Sequence, residues 1–77
     1  MRRVTLYTRQ GCHLCDAAEV ALQHVLRRAE FQLEILDVDV DPRLRELYNE
    51  KVPVVAIDGV DVFQYAVDVK ELLKRLA

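Results

Sequence analysis

Cys12-His13-Leu14-Cys15 places two thiols between a short apolar segment and a long amphipathic one, where a helix would begin. A thiol becomes a useful nucleophile as its thiolate, and the unpaired N–H groups and positive dipole end of a helix start favour that anion. With two residues intervening, the second thiol lies about one helical turn away and can attack a mixed disulfide formed at the first. Two cysteines also admit a structural bridge or a metal site. A bridge closing so short a loop constrains the unfolded chain little, so stapling is the weakest of the three readings. Metal carriage is the alternative to redox chemistry, since soft thiolates suit monovalent copper or an iron–sulfur cluster. Two Cys and two distant His do not assemble a four-ligand site within one chain.

Cys12 is predicted to be the exposed, acidic nucleophile and Cys15 the more buried resolving thiol. Around them stand residues with weaker signals. His13 can stabilise the thiolate as imidazolium or shuttle a proton, or it is simply a polar residue at a helix start. Arg9, three residues before Cys12, can lower the thiol pKa or hold a substrate carboxylate, or it is a solvated loop charge. His24 has no partner nearby in sequence and reads as a surface residue. The basic pair Arg27-Arg28 and the acids Asp37, Asp39 and Asp41 read as solvated or capping. Tyr7, Tyr48 and Tyr65 read as core-edge aromatics, with Tyr65 a candidate lining of the substrate groove.

The elements that must hold this pair follow from periodicity. Residues 3–8 alternate as a strand, and Arg9-Gln10-Gly11 is a polar turn. A helix runs from about Cys12 to Ala29, with Leu14, Ala18, Leu22, Val25 and Ala29 recurring every three or four positions. Phe31, Leu33 and Ile35, then Leu36, Val38 and Val40, make a second strand. A strand-helix-strand unit implies parallel strands with a right-handed crossover. Asp41-Pro42 opens a short helix with Leu44, Leu47 and Tyr48 inward. Lys51-Val52-Pro53 stops it, and Val54-Val55-Ala56-Ile57 reads as a strand covered on both faces. Asp58-Gly59 is the strongest hairpin signal, followed by a return strand, Val60 to Phe63. The last helix starts near Asp68, with Glu71 at the third position after it and Val69, Leu72, Leu73 and Leu76 on one face. The fold class is α/β, in the order β-α-β-α-β-β-α.

Composition bounds the reading. Seventy-seven residues, 52% hydrophobic and 31% charged, predict one folded domain over residues 1–77. Eleven basic against thirteen acidic residues, a formal charge of −2, argue against nucleic acid as a partner. Arg2-Arg3 is followed by a segment too short and polar for an export signal, and no stretch approaches membrane-spanning length. A cytoplasmic monomer is expected.

Across nearly its whole length the chain resembles the glutaredoxins, and within them the small bacterial glutaredoxin-like proteins. The resemblance rests on Tyr7-Thr8-Arg9-Gln10-Gly11-Cys12-His13-Leu14-Cys15-Asp16, on Val52-Pro53 before an apolar strand, and on Asp58-Gly59 with the closing helix. It implies a thioredoxin-like three-layer α/β/α fold around a four-stranded mixed sheet. It also implies a cis bond at Pro53, placing Val52 beside the thiols where its backbone can pair with an extended substrate. The implied activity is dithiol–disulfide exchange on a disulfide-bearing protein or a glutathione mixed disulfide. No bound cofactor is implied. Glutathione enters as substrate or reductant, with a thioredoxin-type reductant as the other source of electrons. Two departures stand out. His13-Leu14 replaces the common Pro-Tyr between the thiols, and of the glutathione-binding Gly-Gly and Asp before the last helix only Asp68 has a match. These changes favour dithiol exchange over glutathione as the obligatory partner. Copper carriers also place Cys-x-x-Cys before a first helix, but their order is β-α-β-β-α-β. A non-catalytic interaction module of the same fold would not need Cys12.

Overall fold

Alternation along Arg3–Thr8 decides the architecture, because this strand, β1, sends Val4 and Leu6 to one face of the sheet and Tyr7 to the other. The computed structural model describes residues 1–77. Helix α1 spans His13–Leu26, strand β2 Gln32–Asp37 and helix α2 Pro42–Tyr48, the latter followed by a 3₁₀ turn at Asn49–Lys51. Strands β3 (Val54–Ile57) and β4 (Val60–Gln64) form a hairpin, and helix α3 covers Val69–Leu76. The sheet order is β2-β1-β3-β4. β1 runs parallel to β2, from Arg3 opposite Gln32 to Thr8 opposite Asp37, and antiparallel to β3. This is the predicted thioredoxin-like α/β/α arrangement around a mixed sheet of four strands.

The larger core lies between the sheet and α1 with α3. Val4, Leu6, Val55 and Ile57 meet Ala18, Leu22 and Val25 of α1 and Leu72 of α3. An eight-residue helix such as α3 is unstable alone. Burying Leu72 completely contributes about 2 kcal/mol toward holding it. Asp68 caps this helix by accepting the Glu71 N–H at 3.1 Å. β3 is buried at all four residues, as its unbroken apolar run predicts for an interior strand. A bulge opposite Val55/Ala56 turns the adjacent Val62 and Phe63 of β4 both toward this core. Asp58 and Gly59 take positive φ of 50° and 86° in the hairpin turn, and the Asp58 carboxylate accepts the Arg3 N–H at 2.9 Å.

Four local expectations need correction. α1 ends at Leu26 rather than Ala29, because the N–H groups of Arg27 and Arg28 bond three residues back and tighten the chain. Ala29 still packs on the core, which is why the apolar period outlasts the helix. Leu14 is 54% exposed and Cys15 instead leads the buried stripe that continues through Ala18, Leu22 and Val25. β2 stops at Asp37, where β1 runs out, and the Asp37 carboxylate accepts the Asp39 N–H at 2.8 Å in a turn that leaves Val40 exposed. Leu47 is also exposed, since Leu44 and Tyr48 take the inward seam of the seven-residue α2.

Candidate active site

The start of α1 is assembled from local signals. Gly11 adopts φ 79°, a left-handed turn that brings the chain from the end of β1 into the helix. Cys12 is the N-cap, with extended backbone, and the Cys15 N–H points at its Sγ at 3.1 Å. The Cys12 carbonyl accepts the first helical bond from Asp16. The cysteine sulfur therefore occupies the position of an N-capping oxygen, against a free N–H and the positive end of the dipole.

The two cysteines are paired as a disulfide, with Cα atoms 5.2 Å apart. Their exposures differ. Cys12 is half-buried, whereas Cys15 is 1% exposed and packs with Val38 and Val52 in a second apolar cluster. Tyr7, Cys12, Leu44 and Tyr48 border this cluster on the α2 side of the sheet. The Val52–Pro53 peptide bond is cis. Val52 ends the 3₁₀ turn and lies against Cys15. Cys12 and Cys15 at the start of α1, Val38 after β2 and Val52 before β3 are thus brought together by three separate segments.

The other sequence-predicted residues are placed differently. Arg9 turns toward α2, where its guanidinium holds both Asp39 oxygens, in the loop before the helix, at 2.9 Å and Asn49 Oδ1, just after it, at 3.2 Å. The hydrogen bond to Asp39 raises the Arg9 pKa, and its return effect holds the Asp39 carboxyl below the usual range, with Arg45 adding at 3.3 Å. His13 is exposed in the first turn of α1. Asp68 is engaged in capping α3. No group of three or more His, Cys, Asp or Glu side chains is placed to hold a metal ion.

Sequence reasoning passed over three participants. Val38 is fully buried under Cys15, a position hinted at by the change of parity after Ile35 but assigned to a longer strand. Asp39, expected with Asp37 and Asp41 to be solvated or capping, pairs with Arg9, and of the three only Asp41 caps, at the start of α2. Asp61 accepts from the Tyr48 hydroxyl at 3.3 Å, and the Tyr48 ring stacks on Tyr7 with centroids 4.2 Å apart. Burial pushes the Tyr48 phenol up to about 12, with the charges of the Tyr7 phenol group and of Asp61 adding. Nothing local in sequence links Tyr48 to Asp61.

A family model described as "Glutaredoxin-like domain (DUF836)" matches residues 3–77, and the chain belongs to this glutaredoxin-like family. An uncharacterized protein of Mycobacterium tuberculosis is 31% identical over 80 residues, spanning 97% of this chain and 82% of that one. The solution structure of protein Ne2328 from Nitrosomonas europaea superposes with a TM-score of 0.84 at 29% identity, covering 99% of this chain and 92% of that one. NrdH-redoxin from Escherichia coli, a glutaredoxin-like protein whose structure was related to a thioredoxin-like activity profile, superposes with a TM-score of 0.69 at 25% identity over 97% and 95% of the two chains. The fold and the close cysteine pair together mark a glutaredoxin-like protein with a redox-type site. No helix is long and apolar enough to cross a membrane.

Proposed function

We propose that the protein is a dithiol–disulfide oxidoreductase in which Cys12 is the nucleophile and Cys15 the resolving thiol. The observation that carries this reading is the asymmetry of the pair. The two sulfurs are within bonding reach, yet one caps a helix at the surface and the other lies buried one turn deeper. The Cys12 thiolate attacks one sulfur of a substrate disulfide, forming a mixed disulfide and expelling the other sulfur as a thiolate that takes up a proton. Cys15 then loses its proton and attacks the Cys12 sulfur. This releases the second substrate thiol and leaves Cys12–Cys15 oxidised by two electrons, which an external dithiol or two glutathione molecules return.

The thiolate preference of Cys12 is assigned to the helix start, because Arg9 is occupied by Asp39. Arg9 is assigned to holding the β1 end against the loop before α2. His13 is assigned to proton transfer at the exposed face of the pair, and the Val52 backbone to pairing with an extended substrate. The likeness to NrdH-redoxin supports a thioredoxin-type reductant beside glutathione. All groups in the cycle come from one chain, which fits a monomer working in a reducing compartment such as the cytoplasm.

Cys15→Ser tests the route. With a disulfide substrate the variant should accumulate a covalent adduct on Cys12, read by mass spectrometry. Absence of any adduct while Cys12 still alkylates would count against the mechanism. Turnover of a protein disulfide and of a glutathione mixed disulfide, each with glutathione or a thioredoxin system, then ranks the partners.

A further inference from the structure

Tyr65 stands between β4 and α3 with φ 72°, in the left-handed region that disfavours a bulky side chain. The Ala66 N–H bonds to the Gln64 carbonyl at 2.9 Å, closing a three-residue γ-turn centred on Tyr65. Strain of this kind persists where surrounding structure over-determines it. The Tyr65 N–H supplies that constraint by donating to the carbonyl of Pro53 at 2.7 Å. One hydrogen bond therefore fixes Tyr65 to the cis-proline segment that packs against Cys15.

Core packing does not account for a tyrosine here. The residue is 48% exposed and belongs to neither apolar cluster. Its ring instead borders an open depression of about 350 Å³ shared with Leu47, Asn49 and Lys51. Through Leu47 and Lys51 that depression continues into a groove of about 410 Å³ along β4, which reaches Val54 and Asp61. The surface beside Tyr65 thus carries exposed apolar groups in Tyr65 and Leu47 together with Lys51, Glu46 and Glu50, and Asp61 lies farther along. Two adjoining open hollows give room for an extended chain that reaches well beyond the size of a small disulfide.

Building on the dithiol–disulfide reading above, we infer that Tyr65 is a specificity-determining residue whose ring contacts the polypeptide flanking the cysteine of a disulfide-bearing protein substrate. An amphipathic ring offers a large contact area to a main chain or an apolar side chain at low cost in conformational entropy. The backbone bond to Pro53 holds Tyr65 beside the segment that supports the thiols.

The test uses the pre-reduced full chain as wild type, Tyr65→Gly and Tyr65→Phe. Each is mixed with one chromophoric thiol in mixed disulfide either with a cysteine-containing peptide or with free cysteine. Tyr65→Gly should lower the ratio of the two rate constants, peptide over cysteine, by about tenfold, the loss expected for one good ring contact. Tyr65→Phe should keep the wild-type ratio. The unfolding midpoint of Tyr65→Gly should stay level or rise, because glycine relieves the positive φ. An unchanged ratio in Tyr65→Gly, or a lower ratio matched by a lower midpoint, would overturn the inference. If wild type reacts with neither disulfide, there is no ratio to compare, and the redox reading fails first.

Discussion

Val38→Ala and Val25→Ala remove the same two methyl-sized groups from two fully buried sites, one under Cys15 and one in the main core. Each loses about 0.8 kcal/mol per group in transfer free energy, about 1.6 kcal/mol in all, and incomplete collapse of the space brings the loss to about 2 kcal/mol. For a domain of this size that lowers the thermal midpoint by roughly 8 to 16 °C. Stability should therefore hardly distinguish the two variants. Chemistry should. Val38 packs with Cys15 and Val52, so shortening it releases the buried sulfur from the position needed to attack at Cys12. A misplaced nucleophile loses much of the advantage of proximity, and the resolving step should slow by about tenfold in Val38→Ala. Val25→Ala, contacting a separate cluster, should stay within about twofold of wild type. The assay loads Cys12 with a chromophoric thiol in rapid mixing and follows its release by Cys15, alongside urea unfolding of both variants. Equal release rates in two equally destabilised variants would refute the idea that the smaller cluster positions the thiols.

Two pH dependences follow from the ionisable groups around that cluster. Tyr48 has a folded pKa of about 12 against an ordinary value of 10.0, so its contribution to stability is present below pH 10 and lost as pH rises toward 12. Tyr48→Phe should flatten this alkaline limb in unfolding experiments, and in the wild type one of the tyrosines should form tyrosinate after the others. Asp39 has the opposite sign. Its folded pKa lies below the ordinary 3.8, so the Arg9–Asp39 pair contributes above that value and its contribution disappears as pH falls through the lower folded one. Asp39→Asn should remove that acid-side dependence, with a small effect near neutrality because both side chains are partly exposed.

What the sequence determined by itself was local. The helix starts near Cys12, Asp41 and Asp68, the Asp58-Gly59 turn, the buried run of β3 and the one-turn separation of the thiols all involve residues a few positions apart. Backbone geometry converts such spacing directly into structure. Together with the Val52-Pro53 resemblance, they were enough for the element order and the redox-type site. Local pattern failed where an element's end depends on a neighbour. β2 could not outlast β1, and Val40 became exposed although its apolar alternation continued.

Tertiary structure alone decided what the site residues touch. Arg9 finds Asp39 thirty positions away, and Tyr48 finds Asp61 across the sheet. Cys15 rests on Val38 and Val52, contributed by two other segments. Such partners share no periodicity, because they meet only after strand order and register are established. The sequence thus singled out the two cysteines at the start of α1. Folding then settled that Arg9 is bound to Asp39, while apolar packing under Cys15 supports the pair.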